Sequence, residues 1–172
     1  MEQYHEKKST SAVSGPCDAS VSDLDSASPE ELSEEVHTGP LDALPLLDAS
    51  ALAPGILKRI VFGPGRFWQD WVMRYFVLPP GQKVPSHAHD WDHLAVALQG
   101  DGRLVVNGEA HQFSQGHWGH VPAGASHAFE NAGNEPFAFL CIVPTSGDPH
   151  AKRAQHRLAR KNRGAAEDPS EA

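Results

Sequence analysis

The middle of the chain alternates short apolar runs with turn-forming residues, and this pattern limits the possible folds more than any other feature. Runs rich in Val, Ile, Phe and Trp occur at 56–62, 67–78, 94–98, 103–107, 109–113, 117–121 and 137–143. Gly, Pro and Asn separate them, and Asn107-Gly108 between two short runs is typical of a type I′ hairpin. Long segments with a 3.6-residue period are missing. The pattern predicts an all-β sandwich or barrel of about 100 residues, with no internal repeat.

The two ends of the chain differ from this middle part. Residues 1–40 carry nine acidic and two basic residues, a net charge of −7, with eight Ser and Tyr4 as the single aromatic residue. We expect a disordered acidic tail there, apart from a short helix at 29–36 favoured by Ser28-Pro29 and the glutamates that follow. The predicted barrel occupies 41–147. Residues 148–172 form a basic tail, in which Asp148-Pro149 predicts a helix over 150–163 that Gly164 would end.

Charge and cysteine content exclude several classes of protein. The formal net charge is −8, so we expect neither a nucleic-acid partner nor attraction to an anionic membrane. Only two cysteines are present, Cys17 and Cys141, which excludes a disulfide scaffold and a Cys-rich zinc module. Cys141 lies in an apolar run and is interpreted as a small buried hydrophobe, the alternative being a redox-sensitive thiol near a cavity. The N-terminus has no apolar signal core, which predicts a cytoplasmic location.

Histidines are concentrated in the predicted barrel. Of the 11 in the chain, seven lie between His87 and His127. His87 and His89 are two residues apart and would share one face of a strand, and His93 follows after a polar step that can turn the chain. His127 comes directly after a Pro-Ala-Gly turn, where a barrel could bring it opposite the other three. Because neutral imidazole is a common ligand of divalent transition metals, these four histidines are the predicted metal ligands.

These two stretches resemble the two motifs of the cupin superfamily. The first motif is matched at Gly81, His87, His89 and Gly100, with His93 where the family has Glu. The second is matched at every specified position: Gly116, Pro122, Gly124, His127 and Asn131. The resemblance covers about 41–147 and is that of a small single-domain cupin. It implies a double-stranded β-helix, a conical jelly-roll barrel whose mouth holds one metal, with metal contacts carried over to His87, His89 and His127.

The departure at His93 has chemical consequences. If His93 binds, the site has four neutral nitrogens; if it does not, a three-His face with open positions remains. Without the carboxylate a divalent metal keeps a formal charge of +2, which favours an anionic chelating ligand such as an enolate, carboxylate or thiolate. Three-His cupins such as the thiol dioxygenases and diketone-cleaving dioxygenases resemble this ligand set. Fe(II) is therefore the favoured metal, with Zn, Mn, Ni, Cu and Co as alternatives.

Three functions remain open at this point. The favoured one is a mononuclear non-haem metal dioxygenase acting on a small organic molecule, which we expect to be anionic. The alternatives are a non-redox metal-dependent isomerase, lyase or decarboxylase, and a non-catalytic module that binds or senses a small molecule. No general base can be assigned, and Trp91, Trp118 and Phe129 are candidate pocket walls. The resemblance also implies a homodimer, because open strand edges invite pairing.

Overall fold

The computed structural model describes residues 38–166, with side chains described to residue 163. This part of the chain contains ten strands and one α-helix. The helix predicted at 29–36 and Cys17 lie outside these residues. A short 3₁₀ turn, Leu41–Ala43, precedes the strands, and a second one, Thr145–Gly147, leads into the helix. The strands are β1 Leu47–Asp48, β2 Leu57–Phe62, β3 Trp71–Leu78, β4 Lys83–His87, β5 His93–Gln99, β6 Gly102–Val106, β7 Glu109–Gln112, β8 Trp118–Val121, β9 His127–Asn131 and β10 Phe137–Pro144, and the helix is α1 Pro149–Ala166.

The strands form two antiparallel sheets. The larger sheet has the order β1-β2-β3-β10-β5-β8 and the smaller one the order β4-β9-β6-β7. This confirms the predicted all-β, double-stranded β-helix architecture. Each of the seven predicted runs overlaps a strand, although residues 67–70 form a loop before β3. The strands β1, β4 and β9 lie outside the apolar runs because they are short or carry polar residues and Pro85.

Glycines and an asparagine of the motifs fix the turns around the barrel. Asn107 and Gly108 both have positive φ, 50° and 85°, and join β6 to β7 as the predicted type I′ hairpin requires. At Gly100 a Cβ would lie 2.5 Å from the carbonyl oxygen of Pro136, so the close approach of two chain segments requires glycine. Asn131 is buried, and its Nδ2 donates to the carbonyl oxygens of Leu78 and Glu135, both at 2.8 Å.

A layer of stacked phenylalanines fills the space between the sheets. Phe139 of β10 stacks on Phe129 of β9 with ring centroids 4.8 Å apart, and on Phe76 of β3 at 5.3 Å. Phe113 and Phe137 extend the layer, and all five rings are at most 2% exposed. Three of these rings, Phe76, Phe129 and Phe139, also form one wall of a cavity between the sheets.

A buried ion cluster joins the helix to the barrel. Asp148 is fully buried and pairs with Lys58 of β2 and, at 3.4 Å, with Arg74 of β3. Its Oδ1 also accepts hydrogen bonds from the backbone N–H groups of His150 and Ala151, which confirms Asp148 as the N-cap of α1. The helix continues two residues beyond Gly164, because a glycine weakens a helix without necessarily ending it. The C-terminal helix is therefore packed against the barrel.

Candidate metal centre

Three histidines from both motifs converge at one end of the space between the sheets. His87 ends β4 and His127 begins β9, and the register of the two strands places them directly opposite each other. Their ring centroids are 4.3 Å apart. The strand ends at His87, so His89 lies in the following loop rather than on the same strand face, yet its ring centroid is 4.8 Å from that of His127. A turn of the chain thus brings His89 to the site.

All three rings are oriented by the same kind of hydrogen bond. Nδ1 of His87, His89 and His127 lies 2.9, 2.8 and 3.0 Å from the carbonyl oxygens of Pro85, Trp91 and Ala125, respectively. A carbonyl can only accept, so each Nδ1 carries the proton and each Nε2 of the neutral ring keeps its lone pair. Backbone carbonyls fix metal-binding histidines in this tautomer in many proteins. The backbone therefore prepares three nitrogen ligands.

The arrangement fits a transition metal. One ligand nitrogen from each of His87, His89 and His127 can be chosen so that all lie within 4.8 Å of one another. Nε2 of His89 is shielded from solvent and has no hydrogen-bond partner. A buried lone pair without a donor is costly, and a bound cation would satisfy it. Three neutral nitrogens suit Zn, Fe, Cu or Ni better than hard cations that prefer oxygen.

His93 contacts this group but has a different set of partners. Its Nδ1 lies 3.1 Å from Nε2 of His127, and its Nε2 lies 2.8 Å from Nη2 of Arg74 and 3.0 Å from Sγ of Cys141. The guanidinium can only donate, so Nε2 of His93 accepts and Nδ1–H donates to His127. Metal binding by Nε2 of His127 would break this hydrogen bond, because both use the same lone pair. Coordination by Nδ1 of His93 would in addition require its proton to leave. Ligation by His93 stays a prediction, and the structure places the ring beside the three-His group.

Burial keeps the imidazoles in the form that binds metals. It lowers the pKa of His127 to about 4, an effect reinforced by the neighbouring His87 and His89. Burial, followed by the charge of Arg74, lowers the pKa of His93, and burial also lowers the pKa of His89. Neutral imidazole is the metal-binding form.

A cavity of about 230 Å³ opens beside the histidines. Its polar wall contains His87, His89 and His93, together with Arg74 and Cys141. The apolar wall consists of Leu52, Phe76, Val84, Phe129 and Phe139. Trp91 also lines the cavity and stacks on His89 with ring centroids 4.3 Å apart and an interplanar angle of 8°.

The structure places some of the predicted pocket residues at the cavity and others elsewhere. Trp91 and Phe129 line the cavity as expected, whereas Trp118 is 79% exposed on the outer face of the larger sheet. Cys141 is buried, as the first interpretation expects, and also borders the cavity, while its redox sensitivity stays a prediction. Arg74 was missed. The sequence contained a signal for it, because Arg74 shares its strand face with the apolar residues Val72 and Phe76. A cation at such an inward-facing position is expected to have a buried partner or a function.

Among residues 38–166, no helix has the length and apolar character that crossing a membrane requires. The predicted cytoplasmic location and the absence of a nucleic-acid partner stay predictions.

Residues 74–143 match the model of the family described as "Cupin domain". Among curated proteins, the chain is 35% identical over 52 residues to the HTH-type transcriptional activator RhaS of Mannheimia succiniciproducens, covering 30% of this chain and 19% of that protein. It is 29% identical over 77 residues to an uncharacterised protein of Aquifex aeolicus, covering 45% and 63%. The chain thus spans less than two thirds of either relative.

Solved structures show the same fold. The polyketide cyclase RemF from Streptomyces resistomycificus superposes with a TM-score of 0.57 at 18% identity, covering 68% of this chain and 96% of that one. Rru_A2000 from Rhodospirillum rubrum, described as a cupin-2 domain, gives a TM-score of 0.53 at 22% identity, covering 63% and 73%. At such identities the likeness concerns the fold alone.

Proposed function

Because residues 74–143 are a cupin domain with a histidine cluster at its mouth, we propose that the protein is a metal-dependent enzyme of the mononuclear non-haem dioxygenase type. The observation that carries the proposal is the common orientation of His87, His89 and His127, whose Nδ1–H groups are bonded to backbone carbonyls. Their Nε2 atoms provide three neutral ligands. Fe(II) is the favoured metal, and it would supply Lewis-acid and one-electron chemistry when bound.

The protein's own residues support the binding of a small organic anion. The three histidines add no negative charge, so the metal would retain its full positive charge toward a ligand. Arg74 adds a second cationic group to the cavity wall. The apolar side chains Phe76, Phe129 and Phe139 exclude water from the inner end of the cavity. Exclusion of water strengthens the attraction between an anion and these cations.

The first experiment is metal analysis by mass spectrometry on protein purified without a His tag. We expect close to one metal ion per chain in the parent protein and its loss in His127→Ala, since one of three ligands is removed. His111→Ala, on exposed strand β7, is the matched control and should keep the metal. A parent protein that takes up no Fe(II), Zn or Mn, even under anaerobic reconstitution, would contradict the proposal.

His93→Ala decides between the two ligand sets. Loss of metal in this variant supports four histidine ligands, whereas retention supports three. The dioxygenase proposal needs at least two exchangeable positions on the metal, so it expects retention. Removal of His93 also frees Arg74 and Cys141 from their hydrogen bonds to Nε2, so folding must be checked by thermal unfolding.

Oxygen dependence separates oxidative from non-redox chemistry. We expect the Fe(II)-loaded protein to consume oxygen with one member of a panel of diketones, thiols and phenolic acids. Turnover that persists without oxygen and tolerates exchange of Fe(II) for Zn or Mn would instead support an isomerase, lyase or decarboxylase.

A second candidate function is a small-molecule sensor without turnover. The observation that favours it is the 35% identity over 52 residues to a protein named as a transcriptional activator. A ligand that raises the melting temperature of the metal-loaded protein and is recovered unchanged would support this candidate.

A further inference from the structure

Two buried N–H donors at the cavity have no acceptor. Arg74 is 5% exposed, and its Nε has no hydrogen-bond partner. Nε1 of Trp91 is likewise shielded from solvent and without a partner. Both side chains line the cavity beside the histidines. A donor buried without an acceptor costs free energy, which an oxygen atom of a bound molecule would recover.

The indole of Trp91 is held in place from two sides. One face stacks on His89, with an interplanar angle of 8°. On the other side the ring approaches the backbone so closely that a Cβ at Gly147 would lie 2.8 Å from Cε2 and 2.9 Å from Nε1. The stacking on His89 and the close approach at Gly147 both restrict rotation of the ring. The unpartnered N–H is therefore a fixed feature of the cavity.

The charges around Arg74 are unbalanced. Arg74 and Lys58 are both buried, and Asp148 is the one carboxylate among the described residues that pairs with them. Burial lowers the pKa of Lys58; the charge of Asp148 opposes this shift, and the nearby Arg74 adds to it. Burial raises the pKa of the Cys141 thiol, which keeps this neighbour neutral. An anion in the cavity would supply the missing negative charge.

The distance between this cationic group and the three histidines is short. Nη2 of Arg74 lies 2.8 Å from Nε2 of His93, and Nδ1 of the same ring lies 3.1 Å from Nε2 of His127. A single imidazole thus separates the guanidinium from the candidate metal centre. A small molecule is therefore long enough to contact both.

We propose that the cavity binds a small carboxylate with an apolar body, and that the carboxylate accepts hydrogen bonds from Arg74 and Trp91. The body lies against Phe76, Phe129 and Phe139. A cavity of about 230 Å³ is smaller than the sites of drug-sized ligands, which restricts the body to roughly the size of one ring. The inference rests on the proposed function for the metal beside the histidines. The hydrogen bonds from Arg74 and Trp91 to the carboxylate do not require that metal.

Calorimetric titration of metal-free and Zn-loaded protein tests this inference, with benzoate, benzamide and acetate as probes. We expect benzoate to bind both forms, and the neutral benzamide and the small acetate to bind at least about tenfold more weakly. Trp91→Phe keeps the stacked ring and removes the N–H, and should weaken benzoate binding about tenfold. Trp118→Phe, on the exposed outer face, is the matched control and should bind benzoate like the parent.

Arg74→Gln provides a second variant, with an expected loss of about 100-fold in benzoate affinity. Because Arg74 belongs to a buried ion cluster, this variant is interpreted only if its thermal unfolding remains cooperative, with Arg103→Gln on the surface as control. Equal affinity of Trp91→Phe and Trp118→Phe for benzoate, or equal affinity of the parent for benzoate and benzamide, would overturn the inference.

Metal content measured on the same samples separates the two proposals. A protein that binds no metal but loses benzoate affinity in Trp91→Phe would refute the proposed function and support this inference. A protein that binds metal, and whose Trp91→Phe variant binds benzoate like the parent, would support the proposed function and refute this inference.

Discussion

Asp148 has two roles that depend on the same carboxylate. It caps α1 through Oδ1, and through Oδ2 it pairs with the buried cations Lys58 and Arg74. Burial alone would raise its pKa, but the two cations outweigh this effect and lower it to about 2 from an ordinary value of 3.8. A carboxyl group whose pKa is lower in the folded protein than in the unfolded chain stabilises the folded state. This stabilisation is present at pH values above the pKa that the group has in the unfolded chain.

The pH dependence of stability should therefore reflect Asp148. Its contribution, about 2 kcal/mol, is present above pH 3.8 and is lost as the pH falls through about 2. Asp148→Asn should remove this part of the acid dependence. At neutral pH it should cost about 3–5 kcal/mol, because two buried cations lose their partner. Urea unfolding between pH 2 and 7 measures both effects. Asp42→Asn, an exposed carboxylate, should change stability little; an equal effect of the two variants would argue against the buried pair.

At the scale of secondary structure, strand β6 must pass directly over the aromatic layer. A Cβ at Gly102 would lie 2.2–2.6 Å from three ring atoms of Phe137. Phe137 is fully buried and stacks on Phe139 at 5.3 Å, with Phe113 at 5.9 Å on its edge. The ring has no space into which it could retreat. The absence of a side chain at Gly102 thus allows the two sheets to close.

Gly102→Ala should accordingly destabilise the protein by about 1–3 kcal/mol, the usual cost of overpacking a core. The measurement is a urea unfolding curve, in which the midpoint should fall while the slope stays unchanged. Gly39→Ala is the matched control, because nothing lies within 4 Å of the added methyl group and its φ is not positive. Equal midpoints for the two variants would show that β6 can shift away from Phe137.

At the scale of the whole molecule, the larger sheet is apolar on both faces. Its outer face exposes Trp71 of β3, Leu94 and Val96 of β5, and Trp118 of β8, with exposed fractions of 46%, 44%, 42% and 79%. Antiparallel sheets usually present polar side chains to water on one face. A contiguous apolar surface of this kind is typical of an interaction site.

We expect this outer face to form the interface of a homodimer. The face offers few charges, so two copies could meet through it without opposing like charges. Trp118→Glu should shift the protein to monomers in sedimentation velocity, because it would bury two carboxylates in an apolar interface. His111→Glu adds the same charge on exposed β7 and should leave the oligomeric state unchanged. A parent protein that sediments as a monomer at micromolar concentration would contradict the expectation.

The all-β architecture and the three central histidines could be predicted from the amino-acid sequence. Local signals were sufficient there, because alternating burial, turn glycines and the Asn107-Gly108 hairpin depend on neighbouring residues. Helix α1 was predicted from its cap for the same reason. The spacing of His87, His89 and His127 along the chain, which resembles that of the cupin motifs, predicts one site.

Contacts between residues far apart in the chain could not be predicted in this way. Arg74 approaches Asp148 across 74 positions and Cys141 across 67, and no local pattern encodes such pairs. His93 was assigned to the metal by its place shortly after His89 and by its motif position, whereas its ring bonds to Arg74 because β3 and β5 both flank β10. Trp118 is exposed because it lies on the face of β8 that points away from the core. Contacts between distant segments arise only when the sheets close, which is why the cation at the cavity could not be predicted from spacing.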